Sequence, residues 1–323
     1  MLHVAFVGTF TASLEQPVRR HLTVPCEIVV ASEADILPRL PKIDVLVTMG
    51  LTTEMGRAAT RLKLVQVPGA GVDRIDRAAL PAGTLLANAY CHEVGIAEYV
   101  MGAMLALTRE FSRLDTALRK GDWQSHWAVG TAPPPLWPEL AGRTVGILGY
   151  GRIGQEIARR ARAFDMQVCA IRRDVGQSME DELALLGGPD ILDKVLERSD
   201  YVVVSMPANP ETIGLIGEAQ LRRMKRSAYL INVARGEIVE EDALYHALAQ
   251  RTIAGAALDV WYRYPREPGP TAPSARPFHE LPNVLMTPHV SGATDGTLEG
   301  RTKLIAENIR RIACGETPLN RVV

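Results

Sequence analysis

Gly149, Gly151 and Gly154 close the apolar run Val145-Gly146-Ile147-Leu148 and open a helical pattern that continues from Ile153 to Phe164. A strand running into Gly-x-Gly-x-x-Gly and then a helix is a turn built for backbone access to a pyrophosphate. Gly149 makes the tight turn, Gly151 lets the ligand approach, and Gly154 lets helix pack on strand. The helix start at Arg152 and Ile153 would present free N–H groups and a positive dipole end to the phosphates. A purely structural turn is the alternative. The next strand, 167–171, ends at Arg172-Arg173-Asp174. An acidic residue there grips the ribose hydroxyls of NAD, whereas arginine accommodates the additional phosphate of NADP, so Arg172 and Arg173 favour NADP over NAD. Asp174 reaching back to the ribose, and charges simply facing solvent, are the competing readings.

Two further residues have the chemistry to act on a small anion. Arg235, in Ile231-Asn232-Val233-Ala234-Arg235-Gly236, follows a buried apolar run and is a two-pronged donor suited to a carboxylate. His289, in Met286-Thr287-Pro288-His289-Val290-Ser291-Gly292, exchanges protons near neutrality. Reduction of a 2-oxo acid needs a hydride donor, a cation for the carboxylate and an acid for the developing alkoxide. Taken singly, Arg235 also reads as a surface ion pair and His289 as a core histidine.

These residues need a scaffold, and the chain has room for one. Its 323 residues suit two domains, and 47% apolar residues with mean hydropathy +0.02 can bury a large core. Lys plus Arg number 36 against 37 Asp plus Glu, a net charge of −1 that argues against a nucleic-acid or anionic-membrane binder. The longest apolar stretch, Tyr99–Leu107, is too short to span a bilayer. Met1-Leu2-His3-Val4 does not read as a signal peptide, and the expected location is the cytoplasm. Cys26, Cys91, Cys169 and Cys314 have no paired spacing, so neither a metal site nor a disulfide framework is expected.

Short apolar runs alternate with helical patterns throughout, as parallel βαβ units do. Helices are expected over 11–21, 53–62, 153–164, 191–197, 218–224, 241–249 and 297–314, and one long helix over 95–121 that bridges domains or is simply amphipathic. Residues 123–138, rich in Trp and Pro, form a loop that makes either a dimer contact or packing on its own domain.

With Ala257-Leu258-Asp259-Val260 and Gly69-Ala70-Gly71-Val72-Asp73, these ordered motifs resemble the D-isomer-specific 2-hydroxyacid dehydrogenases over nearly the whole chain. That family includes glyoxylate/hydroxypyruvate reductases and phosphoglycerate, formate and phosphite dehydrogenases. The resemblance implies an α/β fold of two doubly wound parallel-sheet domains. A smaller flavodoxin-like substrate domain (1–93 plus 291–323) would receive, as an insertion, a Rossmann cofactor domain (94–290), with the active site in the cleft between them. It implies that Arg235 clamps the substrate carboxylate and polarises the carbonyl. His289 would be the general acid in reduction and the base in oxidation. Backbone N–H groups of Ala70, Gly71 and Val72 would receive the carboxylate, and Asp259 would help hold the nicotinamide side of the cofactor. Pro207, Thr212, Val233, Ala234, Ser291 and Gly292, together with Arg235 and His289, complete the implied cofactor contacts. The long helix and the Trp/Pro arm resemble dimer-forming elements, implying a homodimer that takes a small anionic substrate.

Two departures stand out. The family pairs its histidine with a glutamate five residues after the aspartate matching Asp259; here that position is Tyr264, a catalytic-site phenol that cannot stabilise an imidazolium electrostatically. Glu93 or Glu267 would be the substitutes. His92 stands where the family usually has asparagine near the substrate. Formate dehydrogenases also lack the carboxylate, so a formate- or phosphite-type dehydrogenase is the alternative enzyme, and a dinucleotide-sensing corepressor or scaffold the alternative of another class.

Overall fold

The computed structural model describes residues 1–125, 127–130, 136–174, 183–265 and 267–322. The chain forms two compact units, one from Met1–His92 with Ala293–Val323 and the other from Glu93–Gly292. Among the described residues no helix is long and apolar enough to cross a membrane.

The first unit contains β1 (Leu2–Val7), α1 (Thr9–Arg19), β2 (Cys26–Ala31), α2 (Glu33–Ile36), β3 (Val45–Thr48), α3 (Thr53–Ala58), β4 (Leu64–Gln66) and β5 (Leu85–Ala87). The strands form a parallel sheet in the order β2-β1-β3-β4-β5, a doubly wound arrangement of the flavodoxin type. β3 and β4 are buried at every residue, as expected of central parallel strands covered on both faces, while β2 is the half-exposed edge. The chain's last segment returns to this unit: Ile305, Ala306 and Ile309 pack with Val4, Phe6, Leu14 and Val18, and Val322 N–H donates to Leu86 O.

The second unit contains α4 (Glu93–Thr108), α5 (Phe111–Arg119), β6 (Thr144–Leu148), α6 (Arg152–Ala163), β7 (Gln167–Ile171), β8 (Leu185–Gly187), α7 (Leu192–Arg198), β9 (Tyr201–Val204), α8 (Glu218–Arg223), β10 (Tyr229–Asn232), α9 (Glu241–Ala249), β11 (Gly255–Leu258) and β12 (Val284–Met286). Its seven parallel strands run β12-β11-β10-β9-β6-β7-β8, the Rossmann order with its switch point between β6 and β9. Gly154, Ile157, Ala158 and Ala161 form the buried stripe of α6, and α4 packs on that helix. The final helix of the chain, in the first unit, is α10 (Asp295–Ala313).

Several element bounds differ from the sequence reading. The single helix expected over 95–121 is two, because Glu110 adopts a left-handed conformation (φ 51). Its carboxylate accepts from Arg113 and from Trp137 Nε1, and the Thr108 hydroxyl bonds the Tyr201 hydroxyl at the end of α4. The helix expected over 53–62 stops at Ala58, where the Ala59 N–H caps the last carbonyls. Residues 191–197 begin as a 3₁₀ turn from Pro189, and α10 starts two residues early because the Thr294 hydroxyl accepts from Thr297 N–H. In the Trp/Pro loop, His126 and residues 131–135 (with Pro133, Pro134 and Pro135) lie outside the described residues.

Candidate active site

The glycine turn follows β6 at the switch point. Gly149 has φ 107, and a Cβ there would lie 2.6 Å from Met206 N. A Cβ on Gly154 would lie 2.7 Å from Gly149 O, so the helix meets the strand turn too closely for any side chain there. Gly151 is different: a Cβ there meets nothing within 4 Å, and this residue is the N-cap of α6. Open space beside the first turn of a twelve-residue helix suits an incoming phosphate, so these residues fit a dinucleotide. The Ser205 hydroxyl braces the turn by donating to Gly149 O at 3.0 Å. Gly149→Ala is expected to cost on the order of 2–3 kcal/mol, from positive φ and backbone overlap together. Urea unfolding measures it, and an unchanged midpoint would mean that the turn relaxes freely.

Arg172 and Arg173 follow the last residue of β7; Arg172 N–H donates to Gly187 O, and Arg173 and Asp174 are exposed. Pro207 and Thr212 belong to one turn beyond β9, in which the Thr212 hydroxyl donates to Pro207 O at 2.8 Å.

Beyond β10, Asn232 shapes the chain around Val233, Ala234 and Arg235. Its side-chain oxygen accepts from Ala234 N–H and its amide donates to Arg235 O, while Arg235 Nη1 donates to Ala234 O. A Cβ on Gly236 would lie 2.6 Å from the Trp261 carbonyl, so the Arg235 turn lies directly against the backbone that carries Tyr264. Trp261 in turn donates Nε1–H to Thr287 O at 2.8 Å, tying that segment to the residues before His289.

His289 stands three residues beyond β12, not on it, with φ 58. That conformation is uncommon for a residue with a side chain, though histidine tolerates it better than most. Asp259 holds it in place. This fully buried carboxylate accepts from Thr287 Oγ1 (2.7 Å), Val290 N–H (2.8 Å) and Ser291 N–H (2.8 Å). The Thr287 hydroxyl also receives the Tyr99 hydroxyl of α4 at 2.7 Å. Burial, with the Asp259 charge adding to it, pushes the Tyr99 phenol above its ordinary pKa and keeps it a donor. The imidazole Nδ1 meets the Tyr264 hydroxyl at 2.9 Å, so a phenol occupies this ring nitrogen where the resemblance called for a carboxylate. Ser291 is buried and Gly292 is the last residue of the unit.

In the first unit, Ala70, Gly71 and Val72 lie on the connection after β4. Asn88 Nδ2–H donates to Ala70 O at 2.9 Å and Ala89 N–H to Gly69 O at 3.0 Å, so the segment after β5 shapes that loop. His92 ends the unit, half-buried. Asn88, Trp261 and Thr287 were not singled out from sequence. Their parts in the site depend on pairings between distant segments, and no local motif signals those.

Fold and site together define a dinucleotide-binding oxidoreductase acting on CH–OH donors. A family model for the D-isomer specific 2-hydroxyacid dehydrogenase, NAD binding domain, matches residues 101–291. The chain is 35% identical over 303 residues to a glyoxylate reductase of Korarchaeum cryptofilum, covering 90% of this chain and 86% of that one. It is 33% identical over 300 residues to a D-3-phosphoglycerate dehydrogenase of Methanocaldococcus jannaschii, covering 90% of this chain and only 54% of the relative. The solved 2-hydroxyacid dehydrogenase of Ketogulonicigenium vulgare superposes with TM-score 0.82 at 27% identity, over 100% of this chain and 99% of that one. The chain therefore belongs to the D-isomer-specific 2-hydroxyacid dehydrogenase family.

Proposed function

We propose that the protein is an NADP-preferring reductase of small 2-oxo acids of the glyoxylate or hydroxypyruvate kind. The observation that carries the reading is the linked cluster of the second unit: the Arg235 turn against Trp261, and His289 clamped by Asp259 and bonded to Tyr264, on the sheet that bears the glycine turn. Arg235 pairs its guanidinium with the substrate carboxylate and polarises the neighbouring carbonyl. His289, as imidazolium, gives its Nε2 proton to the oxygen of the reduced carbonyl. Backbone N–H groups of Ala70, Gly71 and Val72 assist the carboxylate, with His92 beside it. Gly149, Gly151, Arg152, Ile153 and Gly154 take the pyrophosphate. Pro207, Thr212, Val233, Ala234, Ser291 and Gly292 line the rest of the cofactor site. A bound nicotinamide dinucleotide supplies the hydride.

Turnover of a panel of 2-oxo acids tests the reading. Reduction of glyoxylate or hydroxypyruvate is expected; oxidation of formate or phosphite without any 2-oxo acid reduction would overturn it. For the cofactor, NADPH is expected to bind about tenfold or more tighter than NADH, and replacing Arg172 and Arg173 by alanine to remove that difference. Tighter NADH binding to the wild type would refute the preference.

The same reading extends to a homodimer. α5 has no buried residue, and Phe111, Leu118, Trp123, Trp127 and Leu136 are exposed, apolar side chains that a second copy would cover. Sedimentation equilibrium is expected to give twice the chain mass, and a monomer at micromolar concentration would exclude it.

A further inference from the structure

Tyr264 does more than fill a space. Its hydroxyl oxygen accepts the Trp261 N–H at 3.3 Å and lies 2.9 Å from His289 Nδ1. A phenol has one O–H to give and two lone pairs to offer. With one lone pair turned to Trp261, the hydroxyl can meet the imidazole as either donor or acceptor. An ionised carboxylate in the same place can only accept. A phenol is the better donor of the two partners and an unprotonated imidazole nitrogen the better acceptor, which sets the direction of the bond when the ring is neutral.

We propose that Tyr264 is a positioning residue with a reversible hydrogen bond: it donates its O–H to Nδ1 of neutral His289, keeping that ring's proton on Nε2, and accepts Nδ1–H when the ring is charged. The ring keeps the same partner and orientation in both protonation states, and only the hydroxyl proton turns. Tyr264 is 42% exposed, so the pair stands at the surface rather than in the core. In proton transfer, Nε2 loses its proton to the substrate oxygen while Nδ1–H stays bonded to the phenol oxygen. The ring then returns to its resting form by exchange with water. The importance of this for turnover rests on the reading of His289 as proton donor; the hydrogen bond itself does not.

Other polar groups of the second unit lie on the segments that carry the ring. Asp259 directs both carboxylate oxygens at Thr287, Val290 and Ser291. Tyr99, from α4, bonds Thr287. Arg235 lies on the turn after β10 and adds positive charge to this end of the sheet. None of these groups replaces a carboxylate on Nδ1, because Tyr264 is there. A phenol on Nδ1 does less than a carboxylate would to stabilise the charged ring.

The test reads the ring directly. In the full-length protein labelled with ¹⁵N at histidine, the His289 ring nitrogens are followed by NMR from acid to alkaline pH in the wild type, Tyr264→Glu and Tyr264→Phe. In the wild type at alkaline pH, Nδ1 is expected to resonate as an unprotonated, hydrogen-bonded nitrogen and Nε2 as a protonated one. Tyr264→Glu is expected to exchange the two and to raise the titration midpoint by about one unit or more. Tyr264→Phe is expected to leave mixed tautomers, an effect that a merely space-filling role would not produce. The pH at which reductive kcat/KM falls should move upward with Tyr264→Glu by the same interval. A neutral wild-type ring protonated on Nδ1, or a midpoint unmoved by Tyr264→Glu, would overturn the proposal. If no 2-oxo acid is turned over, the proposed activity fails while the nitrogen spectra still decide the tautomer.

Discussion

His289→Gln is expected to lower kcat/KM for 2-oxo acid reduction by about 10²–10⁴, the range spanned by a positioned general acid. Glutamine retains a side-chain donor of similar reach, so substrate is still oriented but no proton is delivered. The fall should lie mainly in kcat, because the glycine turn that would hold the pyrophosphate lies elsewhere on the sheet. The pH dependence is the more specific signature. Wild-type kcat/KM should decline as pH rises through the imidazole titration, since the charged ring is the donor, and the variant should lack that limb. Stopped-flow reduction across pH measures both. Equal rates in wild type and variant would remove His289 from the chemistry.

Asp259→Ala is expected to combine a stability loss of about 3–4 kcal/mol with near-complete loss of turnover. The carboxylate is fully buried and receives two backbone N–H groups and the Thr287 hydroxyl, all of which alanine leaves without an acceptor. Two of those donors flank His289, whose left-handed backbone then has less to hold it. Asp259→Asn is the milder companion, because one oxygen survives while the amide turns a donor towards another donor. Urea unfolding with single-turnover kinetics separates the two effects. A variant that is destabilised yet turns over normally would show that the clamp serves only folding. The resemblance assigned this aspartate to the nicotinamide side; its visible bonds go to the turn that carries His289.

The features most legible in the sequence were those whose physics is local. The glycine spacing at 149–154 announces its turn because each glycine answers a separate steric demand, and the clashes that a Cβ would meet at Gly149 and Gly154 are the demands themselves. The strand expected over 167–171 is found there as β7, because a parallel strand covered on both faces is a continuous apolar run. Tyr264 was also legible as a departure, by position alone. What it does with His289 was not, because a hydrogen bond across 25 residues depends on how the segment after β11 folds back on Trp261. The break at Glu110 escaped for a related reason: nothing in Thr108-Arg109-Glu110 stops a helix, and the Tyr201 and Trp137 partners come from far along the chain. β8, three residues (Leu185–Gly187) followed by Gly188-Pro189, is too short to carry a periodicity.

The return of α10 to the first unit has a consequence for synthesis. A chain made from its N-terminus emerges with β1 to β5 long before Ile305, Ala306 and Ile309 exist to cover Val4 and Phe6. The intervening segment is about 200 residues, which takes on the order of 10–40 s to translate. During that interval the second unit can fold as a continuous stretch, while the first waits with the face that carries Val4 and Phe6 covered by α1 alone. The half-made first unit thus exposes apolar surface that the finished chain buries. Nascent chains stalled before residue 305 should bind holdase chaperones more than those stalled after the last helix has cleared the ribosome.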